Sequence, residues 1–201
     1  MPPTSWWRRI DRHALELTVG VALLGVGLAT LFPLLAAIGL IPPVDTREVT
    51  IDDRAQTPPL ASGGTSLRGT HQAELAVSDP GLWDRILLAG PQIAWGVLTI
   101  VVLTLLMRMA ETFRADGDVF VPRNTRRLYG IALTLIVTAT LVPALEVLTT
   151  IALISGTSLE PAVNVTYDLP VATLLLGILV AALAGAFGHG ARLRADTEGL
   201  V

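Results

Sequence analysis

The sequence predicts an all-α membrane protein, an antiparallel bundle of four transmembrane helices with a small two-stranded hairpin between helices 1 and 2. Three observations indicate this fold class. Hydrophobic residues make up 52% of the 201-residue chain and charged residues only 15%, whereas about a quarter of an ordinary soluble domain is charged. Four apolar runs are long enough to cross a bilayer. Nearly all charges lie outside these runs.

Each predicted span has about 20 residues or more, the length a helix needs to cross the hydrocarbon core at about 1.5 Å per residue. The spans cover residues 15–41, 86–108, 128–153 and 169–190 of a single membrane domain, 1–201. They contain only three charged residues, Glu16, Arg108 and Glu146. Because an unpaired backbone group is costly in hydrocarbon, we expect these segments to be helices, with three internal prolines tolerated as kinks or end points.

The placement of arginine predicts the orientation of the chain, because short loops rich in positive charge stay in the cytoplasm. Ten of the arginines lie on the side of the two termini, and four lie in the loop 42–85. We therefore expect both termini, the loop 109–127 and the tail 191–201 to lie in the cytoplasm. A cleaved signal peptide is the competing interpretation of the first span, but its apolar run is nearly twice as long as a signal core.

The extracytoplasmic loop, 42–85, contains two segments in which apolar and polar residues alternate. These are Glu48–Asp52 and His71–Ser78, and a period of two predicts two short strands. Pro58-Pro59 and Ser62–Gly64 indicate a flexible connection between them. Because an isolated two-stranded ribbon is marginally stable in water, we expect it either to pack on the bundle or to pair with another chain.

Glu146 is the one ionisable residue predicted to lie away from a span end. A mostly polar stripe at four-residue spacing passes through it along the third span, and Gln92 in the second span lies at a matching depth. A hydrogen bond between Gln92 and Glu146 is therefore expected. The candidate intramembrane polar network is Gln92, Thr138, Glu146 and Thr150. Two interpretations stay open: hydrogen bonding between helices and a proton or ion pathway.

The fourth span carries small residues at four-residue spacing, Gly177, Ala181 and Gly185. This pattern lets helices approach closely. It favours sealing of the bundle, and a homo-oligomer is the alternative.

The loop 109–127 is predicted to continue the second helix and then turn. Asn124 is expected to cap the N-terminus of the third helix through its side chain. Arg126 and Arg127 follow in the first turn, where positive charge opposes the helix dipole. Their placement therefore favours contact with anionic lipid headgroups, and docking of a cytoplasmic partner is the alternative.

The stretches 113–128 and 187–201 resemble signature regions of a family of small bacterial four-span membrane proteins of unknown function. In the first stretch, members of that family typically have a glycine, an acidic residue, any residue, a phenylalanine, any three residues and then an asparagine. The matching residues here are Gly117, Asp118, Phe120 and Asn124. Its basic-then-acidic ending is matched by Arg192, Arg194, Asp196 and Glu198. The resemblance implies no catalytic residues, and it implies that such proteins are often encoded beside a small helix-turn-helix regulator of the Xre/Cro type.

The leading functional hypothesis is a non-enzymatic scaffold or sensor that presents a cytoplasmic surface to a partner such as a small transcriptional regulator. A small transporter or channel component using Glu146 and Gln92 is one alternative, and an accessory subunit of a larger membrane complex is another. No cysteine is present, and neither a metal-ligand spacing nor a nucleophile with a base occurs in the predicted loops. No cofactor, no metal and no direct contact with nucleic acid are therefore expected.

Overall fold

The structure is a computed structural model that describes residues 5–42, 46–50, 60–62, 65–67, 72–116, 122–157, 159–161 and 163–198. Its four helices are α1 (Ser5–Ala37), α2 (Leu82–Asp116), α3 (Pro122–Ile154) and α4 (Val171–Glu198). Each is long and apolar enough to cross a membrane. The predicted fold class is therefore confirmed, and the chain is a multi-pass membrane protein.

α1 ends at Ala37, four residues before the predicted limit of the first span. Gly39 adopts a left-handed conformation with φ of 81°. Its amide donates to the carbonyl of Ala36 at 3.1 Å, and the amide of Leu40 donates to the carbonyl of Leu35 at 3.0 Å. These two bonds form a Schellman motif, which satisfies carbonyls that the end of a helix leaves unpaired. The apolar residues after Gly39 extended the predicted span beyond the true helix end.

α2 and α3 both begin earlier than the predicted spans. The Asp84 carboxylate accepts a hydrogen bond from the Gly81 amide at 3.0 Å, which fixes the start of α2 at Leu82. α3 begins at Pro122, and proline suits a first helical position because it has no N–H to leave unpaired. Asn124 therefore lies within the first turn, and its predicted role as the N-cap is wrong.

The two predicted strands are present as β1 (Thr46–Thr50) and β4 (Gln72–Ala76). They pair antiparallel, with Glu48 opposite Glu74. We call this pair the ribbon. The connection between the strands is more structured than predicted, because β2 (Leu60–Ser62) and β3 (Thr65–Leu67) pair antiparallel as a second sheet. Ser62 lies in β2, whereas Pro58, Pro59, Gly63 and Gly64 of the predicted flexible connection lie outside the described residues.

The chain divides into two compact units. The ribbon unit comprises the described residues of 32–93 and 143–168, and the stem unit comprises those of 1–31, 94–142 and 169–201. In the ribbon unit, Val49 and Leu75 of the ribbon pack against Ile154 at the end of α3. The amide of Asn164 also donates to the carbonyl of Thr50 at 2.8 Å. Of the two expected arrangements, the ribbon therefore adopts the one in which it packs on a helix.

The stem unit is built around a small apolar core in which Met109, Leu128, Ile131 and Ala184 are buried. Gly177 of α4 is buried, and a Cβ there would lie 2.9 Å from the Ile136 side chain and 3.3 Å from the Ala132 carbonyl. The small-residue pattern of α4 therefore includes a tight approach to α3, as sealing of the bundle requires. Away from these contacts, large apolar side chains such as Leu179 and Leu17, 66% and 70% exposed, contact lipid.

A close approach of α1 to α2 in the stem unit predicts a rescue experiment. A Cβ at Gly96 would overlap the Thr30 side chain, so Gly96→Ala should lower the free energy of unfolding by about 1–3 kcal/mol through overpacking. Thr30→Ala in the same chain should recover most of that loss. The measurement is an unfolding titration in mixed micelles, with Gly25→Ala as the control because nothing lies within 4 Å of a Cβ there. Equal losses at Gly96 and Gly25 would contradict this packing.

Candidate functional site

The predicted contact between Gln92 and Glu146 does not form. Both residues are described, both side chains are exposed, and no hydrogen bond joins them in the described part of the chain. Glu146 instead lines a cavity of the ribbon unit and interacts electrostatically with Arg47. Arg47 comes from the ribbon, so the cation that faces Glu146 belongs to a strand rather than to a neighbouring span.

Arg47 is the most heavily hydrogen-bonded side chain of the described ribbon. Its Nη1 donates to Thr149 Oγ1 at 2.7 Å and to Thr150 Oγ1 at 3.1 Å. Its Nη2 donates to the backbone carbonyls of Leu87 at 2.7 Å and Leu88 at 2.8 Å. One guanidinium therefore joins three segments of the ribbon unit: β1, the first turns of α2 and the last turns of α3.

One of the two carbonyls that Arg47 binds, that of Leu87, lacks its regular helical donor because of Pro91. In a regular helix the Leu87 carbonyl would accept a hydrogen bond from the amide four residues later, but residue 91 is proline and has no N–H. An unpaired carbonyl in a buried or lipid-facing helix is costly. Arg47 supplies the missing donor, and it brings a charged one, which makes a shorter and stronger bond than a neutral donor.

The electrostatics of Arg47 show competing effects. Burial lowers the pKa of Arg47 because it disfavours the charged form, and the nearby Glu146 carboxylate opposes that shift. The guanidinium nevertheless remains protonated, because arginine is effectively always charged in proteins. The contact is therefore a permanent charge held by neutral oxygen acceptors, with one carboxylate nearby.

The two threonines of the predicted polar network, Thr138 and Thr150, make different contacts. Thr150 is buried, 7% exposed, and accepts from Arg47, so its predicted place in a polar network is supported by this bond. Thr138 donates to the carbonyl of Thr134 at 2.7 Å within its own helix, as threonines in membrane helices commonly do. Thr138 therefore gives no support to hydrogen bonding between helices.

The cavity beside Glu146 has a volume of about 400 Å³. Its wall combines three carboxylates with an amide, hydroxyl groups and valine side chains. It is lined by Glu48, Val49, Thr50, Glu146, Val147, Thr150, Val163, Asn164, Val165, Thr166, Tyr167 and Asp168. No group of three His, Asp or Glu residues that could hold a metal ion occurs among the described residues. This wall is suited to hydrogen bonding and to positive charge.

A second arginine holds helices together in the stem unit. Arg127 of α3 donates to the carbonyl of Arg108 and to the hydroxyl of Thr112, both on α2. It also approaches Asn124 Oδ1 at 3.4 Å. Asn124 and Thr112 are buried, at 0% and 7% exposed. Arg127 therefore ties α3 to α2. The sequence predicted contact with lipid headgroups or with a partner for this residue, and not a contact between helices.

The remaining predicted site residues differ in what the structure describes. Arg126 and Arg192 are exposed. A Cβ at Gly188 on α4 would lie 3.5 Å from Thr125 of α3, so these two arginines lie at the same end of the stem unit. Other predicted positions lie outside the described residues, namely Gly117, Asp118 and Phe120, together with the side chains of Arg194, Asp196 and Glu198.

Sequence reasoning missed Arg47, although a signal for it exists. Side chains alternate between the two faces of a strand. Val49 is an apolar member of the predicted alternation, and extending that alternation back by two residues places Arg47 on the same face. Val49 is indeed buried, and Arg47 is half-buried. The predicted strand started at Glu48, one residue too late to include it.

No protein-family profile, curated protein or solved structure matches this chain. The resemblance to the four-span family therefore stays a prediction.

The Arg127 contact predicts a clear difference between two adjacent arginines. Arg127→Ala should lower the free energy of unfolding by about 2 kcal/mol, because hydrogen bonds from a charged donor to the buried Thr112 and to Arg108 are lost. Arg126→Ala, with an exposed side chain, should change it by less than about 0.5 kcal/mol. The two variants are compared by the same unfolding titration. Losses of equal size would show that Arg127 does not hold α2 and α3 together.

Proposed function

We propose that this chain is a non-enzymatic sensor or scaffold of a bacterial inner membrane, which presents the arginine-rich end of its stem unit to a cytoplasmic protein. The main support for the proposal is a difference between arginines at this end of the stem unit: one is hydrogen-bonded to a neighbouring helix and others are exposed. Arg127 is used to hold α2 and α3 together, whereas Arg123, Arg126 and Arg192 leave their side chains exposed. A cationic surface of this kind suits a partner with an acidic surface.

The orientation in this proposal follows from the arginine distribution, which predicts that the loop 109–127 is cytoplasmic and that the loop 42–85 is extracytoplasmic. The cavity beside Glu146 then opens on the extracytoplasmic side. A polar cavity on that side favours a sensor over a passive scaffold, because a cavity of this size offers a binding place for a small ligand. Mechanistically, a sensor would shift the population between two packings that differ in affinity for the partner.

The orientation can be measured with single cysteines, because the chain has none. Leu159→Cys in the ribbon unit, where the native side chain is 47% exposed, should react with a membrane-impermeant maleimide on intact spheroplasts. Arg192→Cys should react only after the membrane is opened. The reverse pattern would contradict the proposed orientation and with it the cytoplasmic surface.

Docking of a partner is tested by photo-crosslinking in cells. A photoreactive amino acid at Arg126 and another at Arg192 should give an adduct with the same acidic protein, and Arg123→Glu should reduce that adduct while Arg123→Lys preserves it. The same photoreactive residue at Leu179, exposed on α4, should give lipid adducts only. Lipid adducts alone at all three positions would overturn the proposal in favour of headgroup contact.

A further inference from the structure

Arg47 connects the ribbon to a turn of α2 that lacks one backbone hydrogen-bond donor. Within the described residues, Val49 and Leu75 hold the ribbon to α3 through apolar packing. The hydrogen bonds from Arg47 to Leu87 and Leu88 add a polar connection to α2. That connection ends at the turn where Pro91 interrupts the hydrogen-bond pattern of the helix. A strand from outside the helix therefore supplies the donor that the helix itself lacks.

The alternative arrangements of this turn are limited. If Arg47 moves away, the Leu87 carbonyl has no amide donor four residues later. The turn then has to admit water or change its local geometry, which are the common sources of kinks in helices. If Arg47 is in place, the carbonyls at 87 and 88 are both satisfied, and Leu88 and Ala89 are buried at 5% and 1% exposed. The Leu87 carbonyl is thus paired while the ribbon is docked, and it lacks its regular helical donor without the ribbon.

We propose that Arg47 is a latch. While the ribbon is docked, this side chain holds the Leu87–Pro91 turn of α2 in a closed state, in which the Leu87 carbonyl is hydrogen-bonded. When the ribbon withdraws, the turn opens, which means that it admits water or changes its local geometry. Arg47 acts here as a positioning residue. Thr149 and Thr150 hold the other side of the guanidinium, so that the planar fork is aimed at both helices at once.

The latch gives the proposed sensor a defined moving part. α2 runs from the latched turn to Asp116, and its later turns carry Arg108 and Thr112, which Arg127 binds. In the proposed sensor, a change at the ribbon is therefore received by α2 at its first turns. This consequence rests on the proposed function, whereas the latch itself depends only on contacts inside the ribbon unit.

A double-mutant cycle with hydrogen–deuterium exchange tests the latch directly. The full chain is placed in lipid nanodiscs, and exchange is followed in peptides that cover residues 84–95. Arg47→Ala should speed exchange there by about tenfold, which corresponds to about 1.4 kcal/mol at 25 °C. In a Pro91→Ala background, residue 91 regains an N–H that can bond the Leu87 carbonyl, so the same Arg47→Ala change should speed exchange by less than about threefold.

Two controls separate the latch from a general loss of structure. Peptides from α4, which belongs to the stem unit, report loss of structure outside the ribbon unit and should be unchanged in every variant. Thr150→Val removes one acceptor of Arg47 on α3 and should leave the coupling between positions 47 and 91 in place. If Arg47→Ala does not fold, Arg47→Lys is used; its single ammonium should speed exchange less, and again more strongly in the chain that keeps Pro91 than in the Pro91→Ala background.

Equal acceleration in the two backgrounds would overturn the latch, because the effect of Arg47 on the turn would then not depend on the donor that Pro91 removes. No acceleration in the chain that keeps Pro91 would overturn it as well. Neither result depends on a partner or on the orientation in the membrane. Failure of the latch can therefore be told apart from failure of the proposed function.

Discussion

A helix in a membrane must satisfy its own backbone, and the ribbon unit depends on how this chain meets that requirement at Pro91. Proline removes one donor from α2, and the guanidinium of Arg47 replaces it with a hydrogen bond of 2.7 Å to the Leu87 carbonyl. The same side chain reaches Thr149 and Thr150 on α3. The ribbon, the first turns of α2 and the last turns of α3 are thereby held by one residue that is half-buried and permanently charged.

Arginine has two structural roles and one proposed functional role in this chain. Arg47 in the ribbon unit and Arg127 in the stem unit both donate to backbone carbonyls of α2. Planar guanidinium groups suit this task because they direct several donors without needing a carboxylate partner. Arg123, Arg126 and Arg192 instead expose their side chains at the end of the stem unit. This contrast is what favours a cationic docking surface over an explanation by topology alone.

The sequence predicted those parts of the fold that follow from local pattern. Four apolar runs specify four helices, and alternation specifies β1 and β4. Helix ends were predicted less well, because the ends of α1 and α3 depend on Gly39 and Pro122 rather than on hydropathy.

The candidate site was predicted only in part. Glu146 and Thr150 do lie beside a polar side chain, but that side chain is Arg47 and not the predicted Gln92. Two partners of Arg47, Leu87 and Thr150, are 40 and 103 residues away in the chain, so no local pattern indicated the contact. Depth in a membrane suggested Gln92 instead, and depth alone cannot tell which side of a helix faces its neighbour.

The decisive measurement is that of the Arg47–Leu87 contact in a lipid bilayer. Solid-state NMR on chain labelled with nitrogen-15 in the arginine guanidinium groups and with carbon-13 in the leucine carbonyls reports this distance through the dipolar coupling. We expect a coupling between Arg47 Nη2 and the Leu87 carbonyl carbon that corresponds to a direct hydrogen bond, and we expect it to vanish in Arg47→Lys. An Arg47 side chain that couples to neither Leu87 nor Leu88, but only to lipid or water, would show that the ribbon does not supply a donor to α2.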